Sequence, residues 1–213
     1  MTSKLLHSRY WPGCSSFLLE RVVIALDIYF DPIHNVLKNK LNIKDAEELE
    51  KIEYILTGYR LAQLIQKYVK PVVKIDDYKE IHKYLFQDIY DWAGKYRTVD
   101  IHKGNTSFLP YKYINRAEEQ INESIKSFLT NPNRSSEFVC KQLAKILCDL
   151  NYMHPFREGN GRTQREFVRQ LAAIKGYELD ISSDNDLYMK ACIKDDEELM
   201  YKAINKEIKE STG

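Results

Sequence analysis

The sequence predicts an all-α fold, and three observations carry that prediction. Apolar residues recur at helical spacing through most of the chain. Between those stretches stand helix stops: Lys70-Pro71, Asn131-Pro132-Asn133 and Gly176. Regular alternation of the kind a strand needs occurs in one place, between Thr98 and Leu109.

Residues 1–28 form an arm to which no element is assigned, and one domain is expected over 29–213. Asp45 and Glu48 make a capping-box-like start for a helix carrying Leu49, Ile52, Ile55 and Leu56, which Lys70-Pro71 closes. Asp76 or Asp77 begins a second helix with Ile81, Tyr84, Leu85 and Ile89. A small hairpin follows: Thr98 to His102 alternates, Lys103-Gly104-Asn105 turns, and Thr106 to Leu109 alternates again. On sequence alone it is equally an ordinary surface hairpin. Ile121, Ile125, Phe128 and Leu129 mark a third helix, and Val139, Leu143, Ile146, Leu147 and Leu150 a fourth. Phe167, Leu171 and Ile174 mark a fifth, and two shorter helical patterns cover 185–193 and 196–209. There are no internal repeats and no low-complexity stretch.

Composition limits the class of function. A chain of 213 residues buries a real core, as one domain or a domain with a short arm. A formal net charge of +1 gives no electrostatic drive toward nucleic acid or membrane. The apolar run from Phe17 to Phe30 is broken by Glu20, Arg21 and Asp27, so it reads neither as a spanning helix nor as a signal sequence. Cys14, Cys140, Cys148 and Cys192 form no CxxC pair, which favours a reducing compartment; the cytoplasm is the expected location. Cys148 is near His154 in sequence, but beside Leu147 and Leu150 it reads as a small core residue rather than a nucleophile.

The most informative stretch is YMHPFREGNGRTQREFVR, residues 152–169, which connects the fourth and fifth helices. Gly159 and Gly161 are its permissive backbone positions, with Gly161 expected at the start of the fifth helix. The free N–H groups of such a terminus bind anions. Arg162 and Arg165 fall in the first turn, where the helix dipole disfavours cations, so an anion among them would explain the placement. Their i, i+3 spacing shares one face, and Arg169 continues the stripe. Glu158 is a single carboxylate of the kind that holds Mg²⁺ beside phosphates. Asn160 can donate its amide to a phosphate oxygen. His154 is the one group in the loop able to act as a general base near neutral pH. Pro155 stiffens the backbone, and Phe156 is expected to anchor the loop in the core. Separately, each feature has a bland explanation as a turn, a structural histidine or a solvated face. Together, in this order, they point to a polyphosphate site with a proton acceptor beside it.

From His154 to Arg165 the chain resembles the signature of the Fic family, His-x-Phe-x-Asp/Glu-Gly-Asn-Gly-Arg-x-x-Arg, and every defined position is matched. The segments DPIHNVLKNKLNIKDAEELEKIE, IHKYLFQDIYDWAGKYRTVDI and HKGNTSFLPYKYI are similar to the family's first helix, central helix and flap, so the resemblance spans roughly residues 29 to 205. It implies a Fic-type helical bundle with a small β-hairpin flap beside the active-site loop. It also implies transfer of AMP from ATP to a Ser, Thr or Tyr hydroxyl of a target protein, with release of pyrophosphate. By that resemblance His154 is the base and Glu158 holds Mg²⁺. Gly159, Asn160, Gly161 and Arg162 line the α- and β-phosphate pocket, and Arg165 grips the γ-phosphate. The flap, residues 98–109, pairs with the target's backbone as an added strand, and His102 and Lys103 on it touch ATP.

Many Fic proteins carry an inhibitory helix, Ser/Thr-x-x-x-Glu-Gly/Asn, whose glutamate pairs with the second motif arginine, here Arg165. The nearest match is Ser16 to Glu20, but Arg21 stands where Gly or Asn is expected, and nothing after Gly176 fits. The resemblance therefore points to a toxin-like member restrained by a separate small antitoxin. Transfer of another nucleotidyl or phosphoryl group, or nucleotide binding without catalysis, are the competing functions. Retention of Gly159, Asn160 and Gly161 favours nucleotidyl over phosphoryl transfer, and an intact His154 disfavours mere binding.

Overall fold

The computed structural model describes residues 27–66, 73–104 and 106–211, among which seven α-helices and three short antiparallel strand pairs are formed. Most of the arm, Cys14, the Ser16–Glu20 match and the Lys70-Pro71 stop lie outside the described residues.

The helices begin where short polar side chains offer caps. In α1 (Ala46–Gln66), Asp45 accepts the Glu48 N–H at 2.8 Å. In α2 (Ile75–Phe86), the Asp77 carboxylate reaches back to the Lys74 N–H at 3.1 Å, so the helix starts just before the expected aspartates. α3 (Ile114–Thr130) is entered through a 3-10 turn, Tyr111–Tyr113, and gives way to the Asn131-Pro132 stop. Ser135 caps α4 (Ser136–Met153), Gly159 precedes α5 (Asn160–Ile174), and Asn185 and Asp196 cap α6 (Asp186–Lys194) and α7 (Glu197–Glu207).

α4 is the central rod. Val139, Cys140, Leu143, Ala144, Ile146, Leu147, Leu150 and Met153 are all buried, and Glu137, Lys141 and Lys145 form a narrow solvent stripe along the opposite side. It packs against α3, α5 and α7, while α2 lies between α1 and α5. Each fully buried Leu or Phe of this core contributes roughly 1.5–3 kcal/mol. The loop joining α4 to α5 is thereby held at both ends by the best-packed helices. No described helix is long and apolar enough to cross a membrane.

The hairpin is shorter than the alternation suggests: β3 (His102–Lys103) pairs with β4 (Thr106–Ser107). Two further pairs correct the expectation of a single extended region. β1 (Phe30–Asp31) pairs with β2 (Val36–Leu37), and β5 (Tyr177–Leu179) with β6 (Ile208–Glu210). The last helix therefore stops at Glu207, where the chain turns extended to meet the strand after Gly176. Strands of two or three residues are too short to display a period.

Candidate active site

The chain leaves α4 through a strained residue. His154 caps the helix with φ 39°, a left-handed conformation, and its N–H bonds the Leu150 carbonyl at 3.0 Å. Its ring lies face to face with Phe108, centroids 3.7 Å apart at 17°. Nδ1 is 3.2 Å from the Asn151 carbonyl, which can only accept, so Nδ1 carries the proton and Nε2 keeps its lone pair. Burial lowers the imidazole pKa to about 4; the Asn151 bond opposes the shift, and the charges of Arg97 and Lys103 add to it. At neutral pH His154 is an uncharged acceptor.

Past Pro155 the loop is nailed down. Phe156 is fully buried, 3.7 Å from the His82 ring and 5.2 Å from that of Tyr78. Asn160 closes the turn around it, accepting the Phe156 N–H at 2.9 Å and donating to the Phe156 carbonyl at 2.8 Å. These two bonds hold the amide against the backbone and use its oxygen and one of its two N–H donors. Gly159 has φ 81°, and a Cβ there would lie 2.1 Å from Phe86 Cζ, so both backbone and space demand glycine. α5 begins at Asn160, one residue earlier than expected, which places Gly161 inside the helix. A Cβ on Gly161 would instead approach Arg165 Nη1 at 3.3 Å. Thr163 returns both its N–H and its hydroxyl to the Gly159 carbonyl, at 3.2 and 2.9 Å. The first N–H groups of α5 lack intrahelical acceptors by position and face the turn.

His82 supports the turn from below. Its Nε2 donates to the Glu158 carbonyl at 3.0 Å, and its Nδ1 accepts the Gly94 N–H at 2.8 Å. These two partners fix the neutral tautomer, and burial lowers the pKa to about 3 against the pull of the Glu158 bond. Arg157, one residue before Glu158, is paired with Asp27 at 2.8 Å.

The charged side chains of the motif line a cavity of about 1070 Å³ between α1 and the start of α5. Glu158 enters it half-exposed, accepting the Gly159 N–H at 2.8 Å and standing 3.6 Å from Arg162. Arg162 lies over the Phe86 ring at 4.7 Å, donates to the Thr57 hydroxyl at 3.1 Å and forms a short ion pair with Glu53. The other Glu53 oxygen accepts from the Tyr90 hydroxyl, whose pKa is raised by burial and by that carboxylate. Arg165 turns the other way, over the Tyr188 ring at 5.6 Å, and forms no ion pair among the described residues. Arg169 leaves the expected stripe altogether, because Glu166 on its own helix binds it at 2.7 and 2.8 Å.

His102 and Lys103 are exposed on β3 and do not line the cavity. Among the described residues there is no group of three or more His, Cys, Asp or Glu side chains able to hold a metal. A lone Glu158 beside an arginine-lined pocket is instead the donor set that suits Mg²⁺, which keeps its waters and takes phosphate oxygens as ligands. Burial pushes the Cys148 thiol up to about 12, as befits a packing residue.

Sequence reasoning missed Glu53, Thr57, His82 and Arg97. Glu53 had a signal: it interrupts the buried stripe Leu49, Glu53, Thr57, Leu64 of α1, and a carboxylate on an apolar face needs a partner.

Comparison with known proteins agrees with this geometry. The model of the Fic/DOC family matches residues 72–172. The chain is 39% identical over 154 residues to "Protein adenylyltransferase VbhT" of Bartonella schoenbuchensis, covering 72% of this chain and 32% of that protein. It is 36% identical over 156 residues to "Probable protein adenylyltransferase Fic" of Escherichia coli, covering 72% of this chain and 76% of that protein. The chain thus spans about a third of the former and three quarters of the latter. Among solved structures, the N-terminal Fic domain of a Bartonella effector protein from Bartonella sp. AR 15-3 superposes with a TM-score of 0.76 at 25% identity, covering 84% of this chain and 90% of that one. BepC from Bartonella tribocorum, solved with bound AMPPNP, gives 0.76 at 20% identity over 86% and 97%. This chain belongs to the Fic/DOC family.

Proposed function

We infer that this chain is an enzyme, a protein adenylyltransferase that moves AMP from ATP to a Ser, Thr or Tyr hydroxyl of another protein. The observation that carries the reading is His154: a neutral imidazole with its Nε2 lone pair unspent, on the loop that opens onto an arginine-lined cavity and a helix N-terminus. The relatives named as protein adenylyltransferases support the same chemistry.

In this reading Nε2 of His154 takes the proton of the target hydroxyl as its oxygen bonds the α-phosphorus. The bond from that phosphorus to the oxygen bridging the β-phosphate breaks, and pyrophosphate leaves. The residues supply positioning and charge balance. The N–H groups opening α5 and Arg162 face the α- and β-phosphates, and Arg165 takes the γ-phosphate. Arg162 arrives with its charge already balanced by Glu53, so Arg165 is the less compensated cation of the cavity. Glu158 would hold Mg²⁺, which neutralises phosphate charge when bound. The target lies along the flap, 98–109, as an added strand. His102 and Lys103 at the flap edge are candidate nucleotide contacts. Control falls to a separate small antitoxin, and action in the cytoplasm follows from the same reading.

The test is incubation of the protein and a cell lysate with ATP labelled on the α- or the γ-phosphate. Label should enter protein from the α position only. His154→Ala should reduce transfer by about two to four orders of magnitude while keeping Mg-ATP affinity. Labelling from the γ position, or turnover by His154→Ala within a few-fold of wild type, would sink the assignment.

A further inference from the structure

Arg97 is 2% exposed, yet among the described residues no carboxylate neutralises it at bonding distance. The nearest, Asp100, is 3.8 Å away and largely exposed, and its oxygen accepts the Tyr111 N–H. Burying a guanidinium in this state is costly unless its donors are satisfied. Here backbone carbonyls satisfy them. Nε donates to His154 O at 2.9 Å, Nη1 to Val99 O at 2.7 Å, and Nη2 to Leu109 O at 2.6 Å and Met153 O at 3.4 Å. The Arg97 N–H adds a bond to Pro155 O at 2.8 Å.

Those carbonyls belong to two groups. Met153 and His154 end α4, where the helix dipole offers a negative pole that balances the buried charge. Val99 and Leu109 are the two feet of the flap. One planar fork thus spans the flap's base and the backbone of the histidine, a geometry an ammonium group does not reproduce. Two more contacts run parallel to it: the Leu109 N–H bonds Tyr152 O at 3.0 Å, and Phe108 lies on the His154 ring.

We propose that Arg97 is a positioning residue that makes the flap and His154 move as one unit, so that a target strand docked on the flap also sets the base. The proposal rests on the assignment of His154 as base made above. Binding of the target and placement of the proton acceptor then become a single event. Of the residues assigned to the nucleotide, only His102 and Lys103 belong to this unit; Glu158, Arg162 and Arg165 line the cavity between α1 and the start of α5.

Arg97→Lys keeps the charge and loses the fork. Mg-ATP affinity by calorimetry should stay within about twofold, while kcat falls on the order of tenfold to a hundredfold, the cost of a misplaced group. Phe108→Leu should lower kcat as well, and the double variant should be no worse than the poorer single, because both act through one unit. Independent, multiplying losses would overturn the coupling. So would an unchanged kcat, or ATP affinity falling in step with kcat. A readout without turnover separates this from the activity assignment. In the NMR spectrum of Arg97→Lys, the His154 ring signals and the amides of residues 106–109 should shift together; a shift confined to one set refutes the proposal. If Arg97→Lys does not fold, Phe108→Leu carries the same spectral test. If Arg97→Lys shifts both sets of signals but the wild-type protein transfers nothing, the activity is refuted and the coupling stands.

Discussion

A histidine charged at neutral pH would be useless as a base, and the loop prevents it by burying His154. Its pKa is lowered to about 4 and that of His82 to about 3, from an ordinary 6.5. Both are depressed, so the unfolded chain binds more protons than the folded one between those values and 6.5. Stability from these groups is complete above pH 6.5 and is lost as the pH falls toward 4 and then 3. Thermal melts from pH 7 to 5 should therefore show a steady decline reflecting about one proton per histidine taken up on unfolding. His154→Gln should remove about half of that slope; an unchanged slope would contradict the assignment. Arg165→Ala should cost ATP roughly tenfold to a hundredfold in affinity and AMP far less, by titration calorimetry. Equal losses would detach Arg165 from the γ-phosphate. That His154, Glu158, Arg162 and Arg165 stand close together was legible because all four fall between residues 154 and 165, on the loop and the start of α5. Glu53, His82 and Arg97 were not, since their partners lie 109, 76 and 57 residues away and periodicity is a local signal.

The elements that frame the loop were legible for a different reason. α3, α4 and α5 carry long apolar stripes and clear stops, so their existence followed from spacing. β1, β2, β5 and β6 carry two or three residues each and left no pattern to read. The two loop glycines illustrate what spacing hides. Gly159 and Gly161 look alike in sequence, but only Gly159 has a positive φ and a ring in the place of its Cβ. Gly159→Ala should destabilise by about 1–3 kcal/mol or more, through strain at that φ and collision with Phe86. Gly161→Ala should fold nearly as well as wild type, because its backbone is helical, and should lose ATP affinity by crowding Arg165. Chemical denaturation paired with nucleotide titration checks both. Equal stability losses would mean that the close approach of α2 to the loop does not set the turn.

At the scale of the whole molecule, the described helices present the motif loop, the cavity beside it and the short flap. Arg165 meets no carboxylate among the described residues, and the Ser16–Glu20 match lies outside them; growth tests the proposed restraint by a separate antitoxin. Expression of the chain alone should then slow bacterial growth in a His154-dependent way, measured against His154→Ala. Glu20→Gly should change little, because Arg21 breaks the inhibitory pattern and Val22, Val23, Ile24 and Leu26 look like packing residues. Normal growth of the wild type, with strong activation by Glu20→Gly, would make this a self-restrained enzyme.

The pair of Asp27 with Arg157 bears on how the protein is handled at the bench. The sequence invites a cloning boundary at residue 29, where resemblance to the family begins. Asp27 lies two residues outside that boundary, and its carboxylate binds the side chain next to Glu158, both groups being mostly shielded from water. A fragment cut at 29 would strip Arg157 of its counter-charge and loosen the turn on its solvent side. Starting the fragment upstream of Asp27 keeps the clasp, so a shortened version that loses activity would be reporting on its own trimming.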